Sequence, residues 1–137
     1  MPGLNFQKKF APKILSGEKP FTLRALRTDG RDPKTGERLY MFTDQRSKNC
    51  KKIAEKVCGF AVTIQLLYCW VGIPGLIGLA RLDLVENFAR LDGFDSYEAF
   101  CKFHKIRDGM KKRDMRLIAW VSREELAKLL GTQVDRV

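Results

Sequence analysis

The sequence predicts an α+β fold in which five or six strands form a small barrel or curled sheet, flanked by three short helices. Three observations lead there. No strand–helix–strand rhythm runs along the chain, which argues against a parallel crossover sheet. The uncharged stretch Val57–Ala80, VCGFAVTIQLLYCWVGIPGLIGLA, sets Phe60, Val62, Ile64, Leu66, Tyr68 and Trp70 at a period of two ahead of Pro74-Gly75, the pattern of two buried strands. Two capping signatures, around Asp95 and Ser122, announce helices nearer the C-terminus.

The elements follow in order. Leu4-Asn5-Phe6 reads as a short opening strand. A short helix comes next, with Pro12 tolerated in its first turn, Phe10, Ile14 and Leu15 on its buried side, and Gly17 ending it. Lys19-Pro20 forces extended backbone, because the residue before a proline avoids the helical region. Phe21–Ala25 is then a strand whose two faces differ: Phe21, Leu23 and Ala25 lie on one, Thr22, Arg24 and Leu26 on the other.

Arg27–Glu37 is loop by its Gly, Pro and Asp content, and Leu39–Phe42 is a strand. Gln45–Lys56 reads as a basic, partly helical connection. The long apolar strand pair follows and continues through Leu82 and Leu84 towards Phe88. Asp95 can cap the next helix, with Glu98 at the capping-box position and Phe100 and Phe103 on its apolar side. Met115–Val121 is the last strand, and Ser122-Arg123-Glu124-Glu125 opens a helix that buries Leu126, Leu129 and Leu130 before Gly131. Trp70 and Trp120, in apolar runs, are expected in the core.

At 137 residues the chain is most simply one domain, residues 1–137, long enough to bury roughly two-thirds of its unfolded surface. Its charge is +10, and the excess is segmental. Residues 1–56 hold 14 basic and 6 acidic side chains, residues 57–104 hold 3 and 5, and residues 105–137 hold 9 and 5. Such a distribution builds a positive face that attracts polyanions.

The 24 uncharged residues of Val57–Ala80 could span a bilayer by length, but their four glycines, Gln65 and the Pro-Gly pair argue against it. No membrane association is expected. Nothing resembles a signal peptide, and Cys50, Cys58, Cys69 and Cys101 form no CxxC pair, so reduced thiols in the cytoplasm are expected. Cys101-x-x-His104 supplies only two of the ligands a zinc site needs, so no metal or other cofactor is implied.

There is no Walker loop, dinucleotide fingerprint, HExxH or GxSxG, and a single histidine makes a Ser-His-Asp site implausible. What remains is the cluster Lys19, Thr22 and Arg24, joined by Arg27 and by Arg46 and Lys48 of the basic connection. Arg24 can grip two oxygens of a phosphate and Lys19 adds a point charge. The same residues also suit catalysis. A lysine lowered in pKa by neighbouring cations could take a threonine's proton, and an acid could protonate the leaving group.

Phe6 and Phe10, then Ile14-Leu15-Ser16-Gly17-Glu18-Lys19 and Thr22-Leu23-Arg24, form a phenylalanine pair, a helix ending in G-x-K and a strand reading T-x-R, a pattern that resembles the opening of ASCH domains. Gly36-Glu37, Asp92-Gly93-Phe94-Asp95-Ser96 and Leu117-Ile118-Ala119-Trp120 fit as well, and the resemblance spans nearly the whole chain. Small basic members of this kind are common in phage and bacterial genomes.

The resemblance implies a PUA-like β-barrel with a cleft for RNA or a nucleotide. It also brings small enzymes into view, acetylcytidine amidohydrolases that use a lysine, a threonine and a glutamate, and a ribonuclease activity. By motif position Lys19 matches the lysine and Thr22 the threonine. Asp92 is nearest the acid, with Glu86 and Glu98 as alternatives, while Pro20 departs from the small polar residue usual there. The leading expectation is an RNA- or nucleotide-binding domain whose basic cleft uses Lys19, Thr22, Arg24, Arg27, Arg46 and Lys48. The alternative is a nucleoside amidohydrolase or ribonuclease using Lys19, Thr22 and Asp92. Binding leads because no acid is fixed by motif.

Overall fold

In the computed structural model, which describes residues 3–27, 30, 32–44, 47–76 and 82–134, the chain is α+β with seven strands in two sheets and four α-helices. One sheet has the order β1 (Gly3–Phe6), β3 (Arg38–Thr43), β4 (Lys51–Val57); β1 and β3 run parallel, β3 and β4 antiparallel. The other is antiparallel throughout, in the order β2 (Phe21–Arg24), β7 (Arg113–Ala119), β5 (Phe60–Leu67), β6 (Trp70–Gly72). The helices are α1 (Ala11–Ser16), preceded by a 3-10 turn over Lys8–Phe10, α2 (Leu82–Leu91), α3 (Tyr97–His104) and α4 (Arg123–Leu130). Among the described residues the strands number seven, where five or six were expected, and no closed barrel forms.

The local signals mostly act as their chemistry requires. Pro12 sits in the first turn of α1, and Gly17 ends that helix in the left-handed region at φ +88°. The Ser122 hydroxyl accepts the Glu125 amide at the start of α4, and Gly131 closes it at φ +80°.

Leu15 and Leu129, expected inside, are exposed, and four further expectations are corrected. Lys51–Val57 is not a partly helical connection but strand β4, paired to β3 across a register shift between Met41 and Phe42. Leu82–Leu91 does not continue a strand; it is helix α2, because Val85, Phe88 and Ala89 recur at three to four residues and all face the core. The reversal between β5 and β6 falls at Tyr68-Cys69, with Cys69 at φ +62°, and Pro74-Gly75 turns the chain only after β6. The cap of α3 is Ser96, which accepts the Ala99 amide at 3.1 Å, and not Asp95, which is exposed.

A chain of rings ties β2 to the helices. Phe21 of β2 lies 4.9 Å from Phe88 of α2, and Phe88 meets Phe100 of α3 edge-on at 5.7 Å. All three are fully buried, each worth about 1.5–3 kcal/mol in transfer terms. This packing holds the strand that bears Thr22 against the turn that joins α2 to α3.

Candidate active site

The site is built where four pieces of chain converge. Gly17 stops α1, the Lys19 amide bonds the Lys13 carbonyl at 3.0 Å, and the extended Lys19-Pro20 step delivers the chain into β2. This route turns the Lys19 side chain inward, leaving it 3% exposed. Opposite, α2 ends in a tight turn, with Asp92 N bonding Phe88 O and Phe94 N bonding Ala89 O. Gly93 carries that turn at φ +102°; a Cβ there would stand 2.6 Å from the Phe10 ring. Only glycine lets the turn and the ring approach so closely.

Lys19 Nζ donates to the Asp92 carbonyl at 2.5 Å and to Asp92 Oδ1 at 2.7 Å. Lys13 Nζ donates to the Gly93 carbonyl at 2.9 Å. Two ammonium groups thus meet the negative end of α2, where carbonyls lack helical partners. The other Asp92 oxygen, Oδ2, lies 3.4 Å from His104 Nε2 at the end of α3. Both side chains are nearly inaccessible, and the imidazole is enclosed by Phe94, Phe100 and Phe103.

Lys19, Thr22, Arg24, Asp92 and His104 line one pocket of about 230 Å³, whose apolar walls include Phe6, Phe10, Phe94 and Phe103. Burial pushes the Lys19 amine below the ordinary lysine range. Asp92 opposes that shift, while the charges of Arg24 and Lys13 add to it. Thr22, paired with Ile118 in the β2–β7 ladder, is buried from solvent.

Arg24 stacks its guanidinium 4.8 Å from the Phe6 ring centre and donates from Nη2 to the Asn5 carbonyl at 2.6 Å. Its Nε is buried with no hydrogen-bond partner among the described residues, and burial lowers its pKa. An orphaned donor at a pocket wall is suited to a ligand oxygen.

The residues named from sequence divide accordingly. Lys19, Thr22, Arg24 and Asp92 converge on one pocket, while Glu86 bonds the Tyr97 amide instead and Glu98 lines a different groove. Arg27 is exposed, its amide facing the Asp32 carboxylate at 3.3 Å, and Lys48 is exposed in the turn before β4; neither lines the pocket. Arg46 lies outside the described residues. Sequence reasoning missed His104 as a neighbour of Asp92, although a lone histidine followed the phenylalanine-rich face of α3.

Comparison with protein-family models, curated proteins and solved structures found no significant match in any of the three. Among the described residues, no helix is long and apolar enough to cross a membrane.

Proposed function

We propose that this chain is a small amidohydrolase that removes an acyl group from the exocyclic amine of a nucleobase, as in an acetylated cytidine. One observation carries the reading: a lysine and a threonine from around the start of β2 and a carboxylate from the turn after α2 line one small pocket, and the lysine amine is desolvated there. The pocket lies below the roughly 300–1,000 Å³ of drug-sized ligand sites, which suits one base or nucleoside better than a strand. Its phenylalanine walls suit a flat ring, and its polar groups suit the ring's edge. The resemblance to ASCH domains supports the same assignment, and on this reading the two sheets are an opened form of the PUA-like barrel.

The chemistry balances with one water consumed. Neutral Lys19 takes the Thr22 hydroxyl proton as Oγ1 attacks the amide carbon, and the unpartnered Arg24 Nε meets the developing oxyanion. The C–N bond then breaks and Lys19 returns the proton to the leaving amine. Water, activated by the same lysine, cleaves the Thr22 ester to release the carboxylate. Asp92 orients Lys19 throughout and stabilises its ammonium form between the two transfers.

The test is turnover of N4-acetylcytidine. The wild-type chain is expected to release acetate, Thr22→Ala to release none, and Thr22→Ser to keep partial activity. Full activity in Thr22→Ala would refute the assignment. A second reading, nucleotide binding without chemistry, is favoured by the orphaned Arg24 Nε. It predicts mononucleotide binding that Arg24→Gln weakens, with no turnover of the acetylated nucleoside.

A further inference from the structure

Away from this pocket, a groove of about 620 Å³ runs along the end of α3 and the loop into β7. Lys102, Lys105, Arg107, Lys111, Lys112 and Arg113 line it, over a floor that includes Cys101, Ile106 and Met110. Six cations fall within twelve residues of chain, with Asp108 the single carboxylate among them. Asp108 lines another groove, beside Glu86 and Glu98, and the following Asp114 lines a third. None of the six cations forms an ion pair with a described residue. Arg113 is engaged through backbone, donating to the carbonyls of His104 and Lys105 at the end of α3. The other five carry exposed charge.

The groove is a built feature. Lys105 ends α3 in the left-handed region at φ +58°, and Ile106, 6% exposed, anchors the loop with its amide on the Cys101 carbonyl at 2.8 Å. The Arg107 amide faces Met110 Sδ at 3.3 Å, closing the turn between α3 and β7. Crowding like charges without counter-charges costs stability, and an anion in the groove reverses that cost.

We propose that this groove binds the phosphodiester backbone of a single-stranded nucleic acid. Several separate point charges along a trough match a ligand with regularly repeated charge better than a lone phosphate. Lys112 Nζ sits 5.7 Å from the centre of the half-buried Trp70 ring, so an indole borders the cations. Trp70 itself lines the neighbouring groove beside Asp114, and an indole next to the cations offers a base a stacking surface that an acidic peptide cannot use. The groove is independent of chemistry in the pocket. Helix α3 lies between them, with Phe103 and His104 towards the pocket and Cys101, Lys102 and Lys105 towards the groove.

The experiment is fluorescence anisotropy of a labelled single-stranded RNA against the full chain over a salt series. Five contacts at about 0.7 each predict a log–log slope near −3.5, an affinity loss of about a hundredfold between about 50 and 200 mM salt. The exposed pair Lys111→Gln/Lys112→Gln should flatten the slope by about 1.4. Lys51→Gln/Lys56→Gln, an equal charge change at exposed positions of β4, should leave it unchanged. Absence of RNA binding at low salt, equal losses in the two double variants, or competition by polyglutamate as strong as by unlabelled RNA would each overturn the proposal.

Discussion

Replacing Lys19 by methionine keeps most of the side chain's volume and removes its charge from a site where both ion-pair partners are 3% exposed and 2.7 Å apart. The variant leaves the Asp92 carboxylate buried with His104 as its remaining side-chain hydrogen-bond partner among the described residues, and the Asp92 carbonyl without the Lys19 donor. Breaking a buried pair from one side costs about 3–5 kcal/mol, because the stranded charge stays desolvated. For 137 residues the unfolding entropy is about 0.3 kcal/mol/K, so the expected fall in Tm is about 10–17 °C. Urea unfolding of Lys19→Met, Asp92→Asn and the double variant forms a thermodynamic cycle. The double variant should cost about 1–3 kcal/mol less than the sum of the singles. A Lys19→Met cost below about 1 kcal/mol, or strict additivity, would refute the claim that the two form one buried unit.

Three further outcomes follow from the same geometry. Lys19 must be neutral to accept the Thr22 proton, so kcat/KM should rise with pH through a midpoint below the ordinary 10.5, since burial depresses that amine; a rate falling across that range would contradict the assignment. Gly93→Ala places a Cβ at φ +102° against the Phe10 ring and should cost about 2–5 kcal/mol by urea unfolding, with loss of turnover as the Asp92 turn shifts. Ser96→Ala removes the acceptor for the Ala99 amide and should cost about 1 kcal/mol, about 3–4 °C in Tm.

The parts of the fold legible in sequence were those with local chemistry. Gly17 and Gly131 mark helix ends, Ser122 caps α4, and the period of two in Phe60–Leu67 marks a strand. Strand β4 was not legible, because Lys51–Val57 is exposed or half-buried throughout and its order comes from pairing with β3. Helix α2 was hidden by the apolar run before it. At the site, the alternation of β2 separated Phe21 and Leu23 from Thr22 and Arg24, yet Thr22 is buried too and Leu23 joins it in the pocket lining, so neither face of the strand is a solvated one. The identity of the acid stayed open among Asp92, Glu86 and Glu98, since only the close of α2 against α1 brings Asp92 to Lys19. His104 reaches Asp92 across two helices, a spatial relation with no sequence spacing to announce it.

The central claim is that Thr22 carries the acyl group between the two half-reactions. Rapid-quench mass spectrometry during turnover of N4-acetylcytidine tests it most directly. One acetyl adduct is expected on the chain, localised to Thr22 and absent from Thr22→Ala. Turnover with no adduct at Thr22, or an adduct elsewhere that persists in Thr22→Ala, would contradict it.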